Sequence, residues 1–202
     1  MALANAVLKR VSEEELERAG LYNLLGSSLQ QAVSPAWLSE AGALRGGEGA
    51  IGSCLDELAD ASRSADPSGM SREYQDLFIG VGRGELVPYG SYYLTGFLHE
   101  KPLADLRRDM AGLGIERDPS VKEPEDHIAS LCQMMAGLIT GAFGEPRDLQ
   151  EQKRFFSAHL GNWAPHFFKD LENAKTARFY RHVGKLGRTF MEVETRGFEM
   201  VE

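Results

Sequence analysis

The sequence predicts an all-α fold: a helical bundle of about nine or ten helices in two lobes joined by a hinge. Three observations lead there. Apolar residues recur at three- and four-residue spacing almost throughout the 202-residue chain. No segment alternates polar and apolar residues between hairpin turns, so a sheet is not expected. The punctuation between apolar runs is that of helix ends, with Ser, Asp and Pro before them and Gly after.

Taken in order, Ser12-Glu13-Glu14-Glu15 has the form of a capping box, with Ser at N-cap and Glu at N3, and opens a helix striped by Leu21, Leu25 and Leu29. Ser34-Pro35 starts a second helix, since a proline at the first helical position loses no intrahelical bond. Five glycines between Gly42 and Gly52 mark a break. A short helix around Leu55 and Leu58 is expected to end at Asp66-Pro67-Ser68-Gly69. From Ser71 a helix carries Tyr74, Leu77 and Phe78 and stops in the glycine run Gly80 to Gly84. Leu103, Leu106, Met110 and Leu113 share a face that Gly114 closes.

The charged, proline-containing connector from Glu116 to Lys122 predicts the hinge, dividing the chain into an N-terminal lobe, 1–118, and a C-terminal lobe, 119–202. Beyond it three stripes follow: Ile128, Leu131, Met135, Leu138 and Ala142; Phe156, Leu160, Trp163, Phe167 and Leu171; Phe179, Val183, Leu186, Phe190 and Val193. Within Glu123-Pro124-Glu125-Asp126-His127, Pro124 suits N1 of the first of these helices. Glu125 and Asp126 would then complement its dipole at about 0.3–1 kcal/mol each.

Composition narrows the function. The formal net charge is −8, made of −10 over residues 1–146 and +2 over residues 147–202. An acidic body argues against nucleic acid, whose phosphates demand a basic face, and is compatible with a cationic partner. No apolar run is long enough to span a bilayer, and the N-terminal segment lacks the hydrophobic core and cleavage site of a secretory signal. Cys54 and Cys132 fit no metal or disulfide spacing, so reduced thiols in the cytoplasm are the expectation.

Catalytic signatures are lacking. The five histidines form no His-Glu-x-x-His arrangement and there is no Gly-x-Ser-x-Gly elbow. Gly80-x-Gly82-x-Gly84 has no following Lys-Ser/Thr and reads as a flexible loop, not a phosphate cradle. The expectation is a non-enzyme without cofactor or bound metal; Glu123, Asp126 and His127 as metal ligands form the minor alternative of a metal-dependent helical enzyme. Two clusters stand out instead. One is Tyr74-x-x-Leu77-Phe78 with Pro88-x-x-Ser91-x-Tyr93, where three tyrosines fall within Pro88–Tyr93. The other is the Glu123–His127 pentapeptide, about 35 residues downstream of Ser91. Amphipathic tyrosines serve interfaces, and carboxylates pair with guanidinium groups, so together they point to binding of an Arg-containing peptide.

In order and spacing these motifs resemble those of the TorD/DmsD family of redox-enzyme maturation chaperones, as does the stretch Phe155-Phe156-x-x-His159-Leu160-x-x-Trp163 with Phe179-Tyr180. The resemblance runs from about Ser71 onward. It implies a cytoplasmic chaperone that binds the twin-arginine signal peptide or apo form of a molybdopterin oxidoreductase and holds it until cofactor insertion. The implied signal-peptide-binding residues are Tyr74, Leu77, Phe78, Pro88, Ser91, Tyr93, Glu123, Asp126 and His127. An alternative is a chaperone of a nitrate-reductase-type subunit without an exported leader. A hinge between lobes permits a domain-swapped homodimer as well as a monomer.

Overall fold

A computed structural model describes residues 11–117 and 121–201. Among them lie ten α-helices: α1 (Glu13–Gln30), α2 (Pro35–Gly42), α3 (Gly49–Ser64), α4 (Pro67–Tyr74), α5 (Gly90–Thr95), α6 (Lys101–Leu113), α7 (Ile128–Thr140), α8 (Leu149–His159), α9 (Ala164–Asn173) and α10 (Tyr180–Glu199). A π-helical turn, Gln75–Ile79, continues α4. The described residues contain no β-strand, only an isolated antiparallel bridge between Tyr89 and His127. The all-α expectation holds.

Local chemistry sets the helix starts. Ser12 Oγ accepts from the Glu15 N–H at 3.2 Å, and the Ser12 N–H approaches Glu15 Oε2 at 3.5 Å, the reciprocal pair of a capping box. Ser34 Oγ accepts from the Trp37 N–H at 3.1 Å, with Pro35 in the first turn of α2. Helix α3 ends at Ser64, just before Asp66-Pro67, and that pair also starts the next helix, ahead of the expected Ser71. Asp66 Oδ1 accepts from the Ser68 N–H at 3.0 Å, and Pro67 takes the first turn of α4. The short helix expected around Leu55 is in fact the 16 residues of α3.

The chain forms two compact units, each discontinuous in sequence. The first comprises Met1–Gly26, Tyr89–Asn162 and Gly197–Glu202; the second, Ser27–Pro88 and Trp163–Arg196. Their boundaries differ from the expected cut at 118/119, which falls outside the described residues, as do the first ten residues of the N-terminal segment. Each unit draws segments from both sides of that cut, because the C-terminal helices return to complete cores begun by N-terminal ones.

In the first unit α7 is the most buried helix: ten of its thirteen residues are buried, leaving almost no solvent face to mark with charge. Helix α1 approaches it closely at Gly26, where a Cβ would stand 3.1 Å from the Ala129 carbonyl oxygen. Leu103, Leu106 and Met110 of α6 and Phe155 and Phe156 of α8 are buried in the same unit, along with the Cys132 thiol. The second unit buries Leu58, Leu77, Trp163, Phe167, Phe168, Leu171, Tyr180, Leu186 and Phe190.

The stripe from Phe156 to Leu171 belongs to two helices. Pro165 in the first turn of α9 has no N–H to continue α8, and Trp163 becomes the N-cap. Ala142 lies beyond α7 and Phe179 precedes α10, while Val193 is 46 % exposed.

Candidate functional site

The pentapeptide Glu123–His127 is not the first turn of α7. His127 is the N-cap, with extended backbone, and its Nδ1 accepts from the Ala129 N–H at 3.1 Å. That bond fixes the tautomer, leaving the ring hydrogen of the neutral imidazole on Nε2. Pro124 stands outside the helix and its carbonyl accepts from the His127 N–H at 3.1 Å. The turn is drawn away from α7 by a second set of bonds. The Gly90 N–H donates to the Asp126 carbonyl at 2.9 Å and the Ser91 N–H to Asp126 Oδ2 at 2.7 Å. Asp126 therefore caps the start of α5, while His127 caps α7. Two consecutive residues pin two helices of the first unit.

Around this double cap the side chains close in. The Tyr89 and His127 rings meet edge to face at 5.1 Å, and the Tyr89 hydroxyl donates to Glu123. Burial pushes the His127 imidazole down to about 4, against the opposing pull of Glu123 and Asp126. Glu125 is engaged by the protein itself. Arg107 donates to its Oε2 from Nε at 3.1 Å and Nη2 at 2.8 Å, and Arg117 Nε lies 3.8 Å from Oε1. Burial would raise the Glu125 carboxyl, but the Arg107 hydrogen bonds and both guanidinium charges hold it below the usual carboxylate range. No local spacing announces the pairing of residues 107 and 125, which depends on α6 lying beside the turn.

Two side-chain oxygens at this place are buried and have no hydrogen-bond partner among the described residues: Ser91 Oγ and Asp126 Oδ1. Buried polar atoms are nearly always paired, because leaving one unpaired costs about 1–3 kcal/mol. Both belong to residues that the sequence singles out, and the Ser91 N–H bond to Asp126 Oδ2 makes them neighbours. Tyr93, half-buried on α5, packs edge to face with Tyr92 at 6.3 Å.

Tyr74, Leu77, Phe78 and Pro88 belong to the second unit. The half-buried Tyr74 and Phe78 rings form a triad with buried Tyr180, with centroids at 4.9, 5.9 and 5.7 Å. The Tyr74 hydroxyl donates to the Leu29 carbonyl at 3.1 Å, and the Val33 N–H donates to the Tyr180 oxygen at 3.1 Å. Burial pushes the Tyr180 phenol above its ordinary range. The π turn sets Leu77 fully inward, and Gly80 ends it at φ 61°, ψ 179°. Tyr180 escapes motif reading because it is a member of an ordinary helical stripe.

A separate cavity of about 800 Å³ in the second unit is lined by residues including Asp66, Met70, Arg72, Glu73, Arg178 and Phe179; Tyr74, Leu77 and Phe78 do not line it. Glu73, buried at its edge, accepts from the Arg178 and Tyr180 N–H groups at 2.8 and 2.9 Å. Among the described residues no group of three His, Cys, Asp or Glu could hold a metal ion, so Glu123, Asp126 and His127 do not converge as a ligand set. Nor is any described helix long and apolar enough to cross a membrane.

Comparison with known proteins agrees with the fold and with the family that the sequence resembles. The family described as nitrate reductase delta subunit matches residues 47–169, more than half of the chain. The chaperone protein TorD of Vibrio parahaemolyticus is 25% identical over 195 residues, covering 93% of this chain and 86% of the relative. That of Vibrio atlanticus is 29% identical over 157 residues, covering 70% and 72%. These relatives are named as chaperones, not catalysts. A solved structure described as a redox enzyme maturation protein from Archaeoglobus fulgidus shares the fold, with a TM-score of 0.58 and 23% identity over 87% of this chain and 93% of that one. With the family match spanning most of its length and TorD relatives along nearly all of it, the chain belongs to the nitrate reductase delta subunit family, the family of the TorD maturation chaperones.

Proposed function

We propose that this chain is a cytoplasmic maturation chaperone that binds the twin-arginine signal peptide, or the apo form, of a molybdopterin oxidoreductase and holds it until the cofactor is inserted. The chaperone part rests on the TorD relatives. The leader-binding part is carried by one observation: Asp126 Oδ1 and Ser91 Oγ are buried neighbours without partners among the described residues. A guanidinium group is a planar, donor-only fork, able to serve both oxygens at once.

Glu125 is excluded from this role because Arg107 and Arg117 already hold it. Exposed Glu123 supplies the second carboxylate. Both orphan oxygens are closed to solvent, so a leader reaches them only as the turn opens. His127 positions that turn by capping α7. Tyr93, half-buried in the first unit, offers aromatic surface to the leader. For Tyr74, Leu77, Phe78 and Pro88, which belong to the second unit, a part in leader binding is supported by the family resemblance alone.

Calorimetric titration with a synthetic twin-arginine leader tests this. We expect micromolar affinity, roughly −7 to −9 kcal/mol, and little heat from a leader with both arginines changed to Gln. In Asp126→Asn the side-chain carbonyl still accepts from the Ser91 N–H, so the cap of α5 survives without the charge. Affinity should fall about tenfold or more with far-UV helicity unchanged. Silence from both leaders would remove the reading. The description of the matched family favours a second one, a nitrate-reductase-type subunit with no exported leader as client. A subunit that binds in the same titration without the arginine pair selects it.

A further inference from the structure

We infer that the two arginines of a leader are read unequally: the site demands arginine at the residue that reaches Asp126 and Ser91 and accepts either arginine or lysine at the residue that reaches Glu123, a specificity that rests on the leader-binding reading above. Asp126 is 3 % exposed and Ser91 fully buried, whereas Glu123 lies in solvent. Both carboxylates belong to one turn of the first unit. They are three residues apart, so their Cα atoms stand at most about 11 Å from each other, and the His127 N–H bond to the Pro124 carbonyl closes the turn further. Adjacent residues of a peptide are about 3.8 Å apart at Cα, and two long basic side chains bridge the remainder. Each then takes one carboxylate.

The buried position is selective for physical reasons. A cation that enters it gives up its water, and a guanidinium group is more weakly hydrated than an ammonium group, so it loses less. Its planar fork also meets two acceptors along fixed directions. Two acceptors await it: Asp126 Oδ1 and Ser91 Oγ, neighbours through the Ser91 N–H bond to Asp126 Oδ2 at 2.7 Å. A buried acceptor left unpaired is costly, which turns a poor fit into strong discrimination. The adjoining carboxylate shows the same preference within the fold. The Glu125 side chain is 8 % exposed, and both cations on it are guanidinium groups, Arg107 at 2.8 Å and Arg117 at 3.8 Å.

Glu123 asks for less. It accepts from the Tyr89 hydroxyl, so an arriving cation replaces a neutral donor and, in solvent, keeps much of its hydration. Exposed ion pairs are weak whichever cation makes them, and lysine serves there nearly as well as arginine.

The test is calorimetry on the full chain with leaders that differ only at the basic pair: Arg-Arg, Lys-Arg and Arg-Lys. One single-lysine leader should bind within about threefold of Arg-Arg, and the other about tenfold or more weaker. Ser91→Ala then identifies the cause. The Ser91 hydroxyl has no partner among the described residues and the Ser91 N–H keeps its bond to Asp126, so far-UV helicity stays unchanged. In this variant the gap between the two single-lysine leaders should shrink about threefold or more, because one of the two buried acceptors is gone. Glu123→Gln should weaken both single-lysine leaders and leave the gap in place. Equal binding of the two by the wild type, or a gap that Ser91→Ala leaves untouched, overturns the unequal reading while the leader still binds. Failure of the wild type to bind any of the three removes the leader-binding reading with it.

Discussion

At the scale of single residues, His127 concentrates the physics of the site. Its imidazole is an acceptor at the start of α7, and burial holds it at about 4 instead of the ordinary 6.5. The unfolded chain therefore takes up a proton on His127 before the folded one does. The stabilisation is complete above about 6.5, is lost as pH falls towards 4, and changes no further below that. Integrated over that window the loss is about 3 kcal/mol. His182, also lowered by burial, slopes in the same sense, so a control is needed. His127→Asn keeps an N-cap acceptor but does not titrate. Urea titrations at pH 7.5 and 4.5 should show a clearly smaller pH difference for His127→Asn than for wild type, and equal differences would place the effect elsewhere. The motif Glu-Pro-x-Asp-His was legible in the sequence, but its geometry was not. A proline followed by two acids reads as a first helical turn, and nothing local reveals that Ser91 and Gly90 compete for Asp126 or that Arg107 takes Glu125.

Among the elements, what periodicity reveals is a buried face, and what it hides is where one helix stops and the next begins along the same face. Phe156 to Leu171 keeps helical spacing across the α8–α9 break, and only Pro165 signals the interruption. Caps were the better guide: Ser12 and Ser34 each bond the amide expected of them, and Asp66, read only as a stop, caps a helix of its own. Close packing of α10 against α9 had no signal beyond two glycines in a stripe of larger residues. At Gly184 a Cβ would lie 2.4 Å from the Glu172 nitrogen and 2.9 Å from the Leu171 carbonyl carbon, both main-chain atoms that cannot step aside. Gly184→Ala should therefore cost about 1–3 kcal/mol despite the better helix propensity of alanine. Half-buried Gly197, with nothing within 4 Å of its Cβ position, is the internal reference on the same helix. There Gly→Ala should be neutral or stabilising by up to about 1 kcal/mol. Chemical denaturation of both variants checks the contrast, and equal effects would show that α10 does not sit tightly on α9.

Across the whole molecule, the two compact units share the chain in alternation, so neither is complete until the last helix has been made. A division of sequence at a charged connector suits domains strung end to end, whereas these compact units are each discontinuous in sequence. The uneven charge has a consequence for function that does not depend on the site's details. A body carrying −10 over residues 1–146 attracts a cationic leader over distances comparable with the Debye length, about 10 Å at 0.1 M salt. In the bound state proposed above, a guanidinium buried on Asp126 lies within that distance and is screened far less. Raising ionic strength should thus act on encounter more than on escape. In stopped-flow measurements with a fluorescent leader, the association rate constant should fall about tenfold between 20 and 500 mM salt, while the dissociation rate changes little. If instead dissociation accelerates and association holds constant, the arginines are paired at an exposed rim, and the buried oxygens of Ser91 and Asp126 are not their acceptors.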